Sequence, residues 1–234
     1  NSVNPADWHI MRGKPILARF AFGLTKPKEP ILGADFSGII EEVGEGVSNF
    51  KVGDRVFGEQ LKAGAFAEYT CVLANACAKM PEGLGFLEMA CVPIAGLTAL
   101  QEVIHHGKLQ KGETVLINGS TGGVGHFAVQ IAKAVGAEVT AVCSRKSADF
   151  ATSLGADHVL CYDENSIQNH TKKYDVVIDN HGNLTLKDFK RMGHRGVLVG
   201  FTKMGLMMNL MLQSALSKFP LIQFTAEANT EYLQ

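Results

Sequence analysis

The sequence lacks any strong bias of charge, and it lacks a long apolar run. Its 234 residues include 22 Lys and Arg against 23 Asp and Glu, with a formal net charge of −1. Without a basic stripe or an acidic tail, no nucleic-acid partner is predicted. The nearest approach to a membrane span is Met204–Leu216, which is shorter than about 18 residues and is interrupted by Gly205, Asn209 and Gln213. We therefore predict no membrane partner, and a buried or interface helix at Met204–Leu216.

Cysteine is scarce and irregularly spaced. The five cysteines form no C-x-x-C pair, and their spacing matches neither a disulfide framework nor a structural zinc knuckle. Hydrophobic residues make up 46% of the chain, enough for a well-formed globular core. Reduced, mostly buried thiols in a cytoplasmic protein are therefore predicted at Cys71, Cys77, Cys91, Cys143 and Cys161.

The first third of the chain is rich in glycine, proline and β-branched residues. Within Ile31–Gly58, short apolar stretches alternate with glycine turns, and Phe66–Val72 alternates in the manner of a further strand. This pattern is typical of a small antiparallel β-barrel and unlike that of a helical domain.

A different pattern begins near Pro93, where apolar strands alternate with helices. The predicted helices are Leu97–His106, Val124–Val135 and Ala148–Leu154. The predicted strands are Thr114–Asn118, Val139–Cys143, His158–Leu160, Asp175–Asp179 and Val197–Gly200. This alternation predicts an α/β fold with a doubly wound parallel sheet, the Rossmann architecture.

A glycine-rich turn joins the first of these strands to the long helix that follows it. Glycine permits positive φ and lets the backbone approach a pyrophosphate, whose charge the N-terminus of the next helix then binds. The spacing is G-x-x-G-x-x-G, slightly wider than the commonest form, and the alternative is a glycine turn without a ligand. The residues predicted to bind a dinucleotide are Gly119, Ser120, Thr121, Gly122, Gly123 and Val124.

The residues after the second strand indicate which dinucleotide binds. An NAD-selective site usually has a carboxylate there, about 20 residues beyond the glycines. This chain instead has Ser144, Arg145 and Lys146, and no carboxylate before Asp149. Two cations and a hydroxyl suit a 2′-phosphate, so NADPH is the predicted cofactor. The alternative is that one or both cations are solvated surface residues.

Taken together, these motifs resemble the medium-chain dehydrogenase/reductase superfamily, in its quinone oxidoreductase-like branch. The resemblance extends over essentially the whole chain and is strongest at Val115–Val139. It implies a GroES-like, mostly antiparallel barrel domain at residues 1–94, a Rossmann domain at 95–220, and a return to the first domain at 221–234. It further implies that both ends are truncated relative to the family and that the protein is a homodimer.

The resemblance also bears on metal use. Zinc-dependent relatives present a cysteine in the segment that here contains Asn4, and a His-Glu pair where this chain has Ala34 and Asp35. A catalytic zinc needs three protein ligands drawn from Cys, His and carboxylates. Neither Asn4 nor Ala34 supplies one, so a zinc-independent reaction is expected.

In this branch of the family, hydride passes from the nicotinamide to a quinone or an α,β-unsaturated carbonyl compound. The developing enolate oxygen needs a hydrogen-bond donor, for which Asn4 is the candidate, unless it merely begins a turn before Pro5. Further cofactor contacts are expected at Thr98, Tyr162, Asn180, Gly200 and Phe201. His181, a possible proton donor, is more simply explained as a structural or solvated residue.

Two other functions remain open at this point. The chain could be a non-catalytic NADP(H)-binding sensor or partner-binding module, because no acid or base residue stands out. It could also be an alcohol dehydrogenase-like enzyme that uses a metal in another way.

Overall fold

The structure is a computed structural model that describes residues 1–14, 16, 18–26, 28–199, 204–226 and 232–233. The chain forms two compact units. The first unit comprises residues 1–97 with the described residues 232 and 233, and the second unit comprises residues 98–226. The domain boundaries implied by the family resemblance, at 94 and 220, stay a prediction.

The first unit combines short helices with a small antiparallel sheet. Its helices are α1 Pro5–Arg12, α2 Ala18–Phe22, α3 Phe86–Ala90 and the first part of α4 Pro93–Leu100, with a 3₁₀ turn at Ala74–Ala76. Its strands, paired antiparallel in the order β1-β2-β3, are Asp35–Ile39, Arg55–Glu59 and Cys77–Lys79. The apolar side chains on one side of the sheet are Phe36, Ala65 and Cys77, and those on the other are Phe57, Ala78 and Met89.

Helix α1 begins at Pro5, directly after Asn4, where no helix was predicted. Pro5 occupies its first position, where the missing N–H costs nothing. The backbone N–H of Asn4 donates to the carboxylate of Asp7, at 2.8 Å, and Gly13 ends the helix in the left-handed region, with φ 57°. Asn4 is therefore fixed at the start of a helix.

The strand predicted at Phe66–Val72 is wrong. The chain approaches a neighbouring segment only briefly, through bonds from Ala65 N–H to the Gly33 carbonyl and from Phe66 N–H to the Leu32 carbonyl. No ladder continues beyond these two bonds, and Tyr69 is 75% exposed. Apolar alternation alone does not make a strand when no partner strand runs beside it.

The second unit is built on a six-stranded, fully parallel sheet. Its strands are β4 Thr114–Asn118, β5 Glu138–Cys143, β6 His158–Cys161, β7 Tyr174–Asp179, β8 Gly193–Leu198 and β9 Leu221–Gln223. Its helices are α5 Gly125–Val135, α6 Ala148–Ser153, α7 Leu186–Met192 and α8 Met204–Leu216, with 3₁₀ turns at Arg145–Ser147 and Ile167–Asn169. The strand order β6-β5-β4-β7-β8-β9 confirms the doubly wound prediction.

The sheet of the second unit is buried on both faces. One face packs against α5 and contributes the apolar side chains of Val115, Ile117, Val139, Ala141, Val176 and Ile178. The other face packs against α7 and contributes Leu116, Val142, Val177 and Leu198. Because strand side chains alternate between faces, continuous apolar runs are what a parallel sheet between two helical layers requires.

The helix predicted at Leu97–His106 has two parts. Residues up to Leu100 belong to α4, and Gln101–His106 form a π-helical turn, in which Gly107 N–H donates to the Glu102 carbonyl at 2.8 Å. A π-helical turn is rare and often lies at a functional site. Its wider bonding pattern is not visible in the periodicity of the sequence.

The helix predicted at Met204–Leu216 is confirmed as α8. Leu210 is buried, whereas Leu212 is 64% exposed and Leu216 is 90% exposed. Among the described residues, none of the helices combines the length and the apolar character that crossing a bilayer would require.

Candidate functional site

The glycine-rich turn lies at the carboxyl edge of the large sheet, beside the point where the strand order reverses between β4 and β7. The backbone N–H groups of Gly119 and Ser120 both donate to the Val142 carbonyl, each at 3.2 Å. The Ser120 hydroxyl donates to the same carbonyl at 3.0 Å, and Gly119 has φ +79°. The end of β5 thus anchors the turn, and Gly119 supplies the positive φ that the turn needs.

The middle of this turn presents unused hydrogen-bond donors. Within the described part of the chain, the backbone N–H groups of Thr121, Gly123 and Val124 donate to no acceptor. Gly123 is exposed, and α5 begins at Gly125, so the positive end of the helix dipole lies at the same place. Free N–H groups at a helix N-terminus form a binding site for an anion such as a pyrophosphate. The structure therefore brings the predicted residues 119–124 together.

Gly125 is required for a different reason. A Cβ at this position would lie on the carbonyl oxygen of Gly119 and 2.7 Å from the Cα of Ser120. Only glycine lets α5 start this close to the turn.

The two cations after β5 differ in their contacts. Arg145 N–H donates to the carboxylate of Asp163, at 2.9 Å, and its Nε lies 3.7 Å from Glu164 Oε1 in an exposed pair. Lys146 is exposed, and no ion pair or hydrogen bond of its side chain is found in the described structure. An exposed ion pair such as Arg145–Glu164 contributes little stabilising free energy, so both cations are accessible to an anionic ligand. Lys146 has no competing carboxylate in the described structure.

Two further predicted residues lie at this same edge. The hydroxyl of Ser144 is 3.3 Å from that of Ser147, across the 3₁₀ turn that follows β5. Tyr162, which follows β6, donates its N–H to the Cys143 carbonyl at 3.0 Å, and it is 56% exposed. Asp163 and Glu164 were not singled out in the sequence, although two carboxylates directly after a strand end were a visible signal.

A buried carboxylate organises the loop after β7. Asp179 Oδ1 accepts hydrogen bonds from the N–H groups of His181 (3.1 Å) and Gly182 (2.9 Å), and from Asn118 Nδ2 (2.8 Å). Its Oδ2 accepts from Leu184 N–H at 2.9 Å. These four bonds fix the loop against the end of β4.

Asn180 sits inside that loop, next to the first glycine of the phosphate turn. Its N–H donates to the Asn118 carbonyl at 3.0 Å, and its Nδ2 donates to Glu102 Oε1 at 3.0 Å. A Cβ on Gly119 would come within 3.5 Å of the Cβ of Asn180. Asn180 thus lies beside the phosphate turn, at the switch point of the sheet, where ligands of this architecture bind.

For the other residues predicted near the cofactor, the structure gives only burial, a backbone contact or no description. Thr98, near the end of α4, is buried, with 5% exposure. His181 is exposed and contributes only its backbone N–H to the Asp179 carboxylate. Gly200 and Phe201 lie outside the described residues.

The first unit contains a second polar cluster, centred on Asp35. This side chain is fully buried, and its Oδ2 accepts hydrogen bonds from Asn4 Nδ2 (2.9 Å) and Ser2 Oγ (2.8 Å). Its Oδ1 accepts from Ile94 N–H at 3.1 Å. Asn4 Nδ2 has a second, longer contact of 3.3 Å to Ser2 Oγ. The candidate donor Asn4 is therefore oriented by a buried carboxylate.

Two carboxyl groups of this cluster are shifted toward neutrality. Burial raises the pKa of Asp35 to about 6, although hydrogen bonds from Asn4 and Ser2 oppose the shift. Glu59 is directly opposite Asp35 in the β1–β2 register, and burial together with the Asp35 charge raises its pKa to about 7. A carboxylate between Ala34 and Phe36 was the available sequence signal of the burial of Asp35.

Two of the positions compared with zinc-dependent relatives, Asn4 and Ala34, have no thiolate, imidazole or carboxylate side chain. Asn4 bonds to Asp35, and Ala34 is fully buried. In the part of the chain that is described, no group of three or more His, Cys, Asp and Glu side chains is arranged to hold a metal ion.

Two family models match the chain. Residues 1–82 match the alcohol dehydrogenase GroES-like domain, and residues 123–218 match the family described as zinc-binding dehydrogenase. Together these ranges contain Asn4, the antiparallel sheet and the strands β5 to β8 of the parallel sheet.

The chain is also similar to individual proteins. It is 39% identical to the chloroplast envelope quinone oxidoreductase homolog of Arabidopsis thaliana, over 76% of this chain and 56% of that protein. It is 38% identical to trans-enoyl reductase pgmF of Aspergillus terreus, over 77% of this chain and 52% of that protein. The chain thus spans about half the length of these curated relatives.

Among solved structures, the quinone oxidoreductase from Coxiella burnetii is similar in fold. It superposes with a TM-score of 0.85 at 30% identity, over 99% of this chain and 73% of that one.

Proposed function

Because the chain belongs to the medium-chain dehydrogenase/reductase superfamily, alongside its quinone oxidoreductases, we propose that it forms the core of an NADPH-dependent, zinc-independent oxidoreductase that reduces a quinone or an α,β-unsaturated carbonyl compound. The observation that carries this proposal is the phosphate turn, whose free N–H groups at Thr121, Gly123 and Val124 directly precede α5. These donors suit the pyrophosphate of a dinucleotide.

The choice of NADPH rests on the turn after β5. Lys146 is exposed and unpaired in the described structure, and Arg145 keeps an exposed guanidinium whose contact with Glu164 is long. A 2′-phosphate would give both cations a stronger partner, because charge-assisted bonds to phosphate exceed those to a distant surface carboxylate. In this proposal the Ser144 hydroxyl donates a further hydrogen bond to the 2′-phosphate.

When bound, the nicotinamide supplies the hydride. We assign the stabilisation of the developing enolate oxygen to Asn4. Its contact to Ser2 Oγ, at 3.3 Å, is the weaker of its two hydrogen bonds, so a substrate oxygen could replace Ser2. Asp35 would retain the other amide hydrogen and hold the side chain in place. Zinc independence is part of the proposal, because neither Asn4 nor Ala34 can ligate a metal as thiolate or imidazole does.

The proposal is tested with the full-length protein, NADPH and a panel of quinones and enones, followed by the loss of NADPH absorbance. Turnover supports an oxidoreductase. Tight NADPH binding without turnover across the panel would instead indicate a non-catalytic binding module. Stoichiometric zinc in the purified protein would overturn the zinc-independent assignment.

Cofactor selectivity gives a sharper prediction. Lys146→Glu is expected to weaken NADPH binding about 10- to 100-fold, because one charge-assisted bond contributes about 1.5–3 kcal/mol. NADH binding should stay within about twofold of wild type, since NADH has no 2′-phosphate. Both dissociation constants are measured by calorimetry. Lys111→Glu, an exposed lysine before β4 at the other edge of the sheet, is the matched control. Equal losses for NADPH and NADH would contradict the role of Lys146.

The role of Asn4 leads to a kinetic prediction. Asn4→Ala is expected to lower kcat about 100-fold, the usual effect of removing one oxyanion donor, with NADPH binding unchanged. The start of α1 should survive, because the Asn4 backbone N–H that bonds to Asp7 remains. Val3→Ala, at a neighbouring exposed position, serves as the control. A full kcat in Asn4→Ala would remove Asn4 from the mechanism.

The proposal also includes a cytoplasmic homodimer. All five cysteines are free thiols, as expected in a reducing compartment. The exposed Leu212 and Leu216 give α8 an apolar surface that suits contact with a second protein chain.

A further inference from the structure

Glu102 is a carboxyl group with no exposed surface, in the π-helical turn that follows α4. Its neighbour Val103 belongs to the apolar core around β4 and α5. Within the described chain, no cation forms an ion pair with Glu102. A charged carboxylate in such a place is costly unless it is paired, and a buried carboxyl group usually becomes neutral instead.

In the described structure, only one of the two carboxyl oxygens of Glu102 has a hydrogen-bond partner. Asn180 Nδ2 donates to Glu102 Oε1 at 3.0 Å. The other oxygen, Glu102 Oε2, is buried and has no partner among the described residues, and the same is true of Asn180 Oδ1. Both orphaned atoms are acceptors, so they cannot bond to each other unless one of them carries a proton. A proton on Glu102 Oε2 would supply the missing donor.

We propose that Glu102 is a neutral carboxylic acid that forms a two-point acid–amide pair with Asn180, and that Glu102 is thereby a positioning residue of the dinucleotide crevice. In this pair, Asn180 Nδ2 donates to Oε1 and the protonated Oε2 donates to Asn180 Oδ1. The pair satisfies both orphaned atoms with groups already present. The positioning role rests on the proposed function.

The electrostatics of the site agree with a neutral acid. Burial raises the pKa of Glu102 to about 8, the charge of Asp179 adds to the shift, and the bond from Asn180 opposes it. The other titratable groups on the elements packed here are His126 and Lys133 on α5, His105 and His106 on the same helical turn, and His181 in the loop that carries Asn180.

The pair matters because of where Asn180 lies. Its backbone is bonded to the end of β4 through Asn118, and its Cβ lies beside Gly119, the first glycine of the phosphate turn. Ionisation of Glu102 would set its Oε2 carboxylate oxygen against Asn180 Oδ1 with no proton between them. The Asn180 side chain would then lose one of its two anchors beside the phosphate turn.

The protonation state is tested directly by infrared difference spectroscopy of the full chain, between about pH 6 and about pH 10. The wild type is expected to lose a carboxylic acid C=O band as the pH rises, and Glu102→Gln is expected to lack that band. Other buried acids, such as Asp35 and Glu59, contribute bands that persist in the variant. An unchanged spectrum in Glu102→Gln would overturn the acid–amide pair.

The positioning role is tested by the NADPH dissociation constant over the same pH range. In the wild type, affinity should fall about five- to tenfold as the pH rises past the Glu102 pKa, the cost of about one hydrogen bond. Glu102→Gln should bind NADPH independently of this transition, because its amide repeats both hydrogen bonds without titrating. Glu102→Met should bind weakly at every pH. Glu82→Gln, at an exposed position of the first unit, should keep the wild-type profile.

The outcomes separate this inference from the proposed function. Tight NADPH binding with identical pH profiles in the wild type and Glu102→Gln would overturn the positioning role while leaving the proposed cofactor intact. No NADPH binding at any pH, in folded protein, would overturn both the proposed function and the positioning role, and the infrared band would still decide the acid–amide pair.

Discussion

Gly125→Val is expected to weaken NADPH binding at least about 100-fold. The added side chain overlaps the backbone of the phosphate turn, and overpacking of this kind costs about 3 kcal/mol. Even the first added carbon would lie on the Gly119 carbonyl oxygen and 2.7 Å from the Cα of Ser120. These backbone atoms have little freedom to move, because the N–H groups of Gly119 and Ser120 are both bonded to the Val142 carbonyl. To relieve the contact, the backbone of the turn must move, and its free N–H groups move with it.

The measurement is the NADPH dissociation constant of Gly125→Val, with thermal unfolding followed in parallel. Gly44→Ala is the matched control, since a Cβ at Gly44 would meet no atom within 4 Å and the residue is not among those with positive φ. It should bind and unfold like the wild type. Gly125→Ala should lie between the two, with the same contact and fewer added atoms. Wild-type affinity in Gly125→Val would mean that the turn does not bind the phosphates.

The parallel sheet could be predicted because its signals are local and strong. Thr114–Asn118 is an apolar run bounded by a glycine turn, and the predicted strand matches β4. The helix predicted at Val124–Val135 differs from α5 by one residue at its start. The GroES-like and Rossmann architectures expected from the resemblance are confirmed by the matching families and by the two sheets.

Strand ends without such boundaries were harder to place. β8 begins at Gly193, well before the strand predicted at Val197–Gly200. Its first half, Gly-His-Arg-Gly, has a poor strand propensity. Its register is set by pairing with β7, where Tyr174 is opposite Gly193. A partner strand that is distant in sequence therefore overrides the local preference.

The polar contacts of the two clusters could not be predicted from a single sequence. Glu102 and Asn180 are 78 positions apart, and Asn4 and Asp35 are 31 apart. Each pairing depends on how the chain folds back on itself, and no local periodicity encodes it. What the sequence did contain was a weaker signal, a carboxyl group within an otherwise apolar stretch, which predicts a buried acid without naming its partner.

Asp179→Ala is expected to lower the free energy of unfolding by about 4 kcal/mol or more, because it removes the acceptor of four hydrogen bonds, and losing the partner of a buried polar group costs about 1–3 kcal/mol. The four donors are the N–H groups of His181, Gly182 and Leu184, and Asn118 Nδ2. Asp179→Asn should cost less, about 1–3 kcal/mol. Its amide oxygen can keep the three bonds that Oδ1 accepts, but its NH₂ group then faces the N–H of Leu184, donor against donor.

The measurement is urea denaturation followed by circular dichroism. Asp149→Ala, at an exposed position on α6, should stay within about 0.5 kcal/mol of wild type. If Asp179→Ala were as stable as Asp149→Ala, the carboxylate would not hold the loop that carries Asn180, and the crevice would have to be kept in shape by the β4–β7 pairing alone.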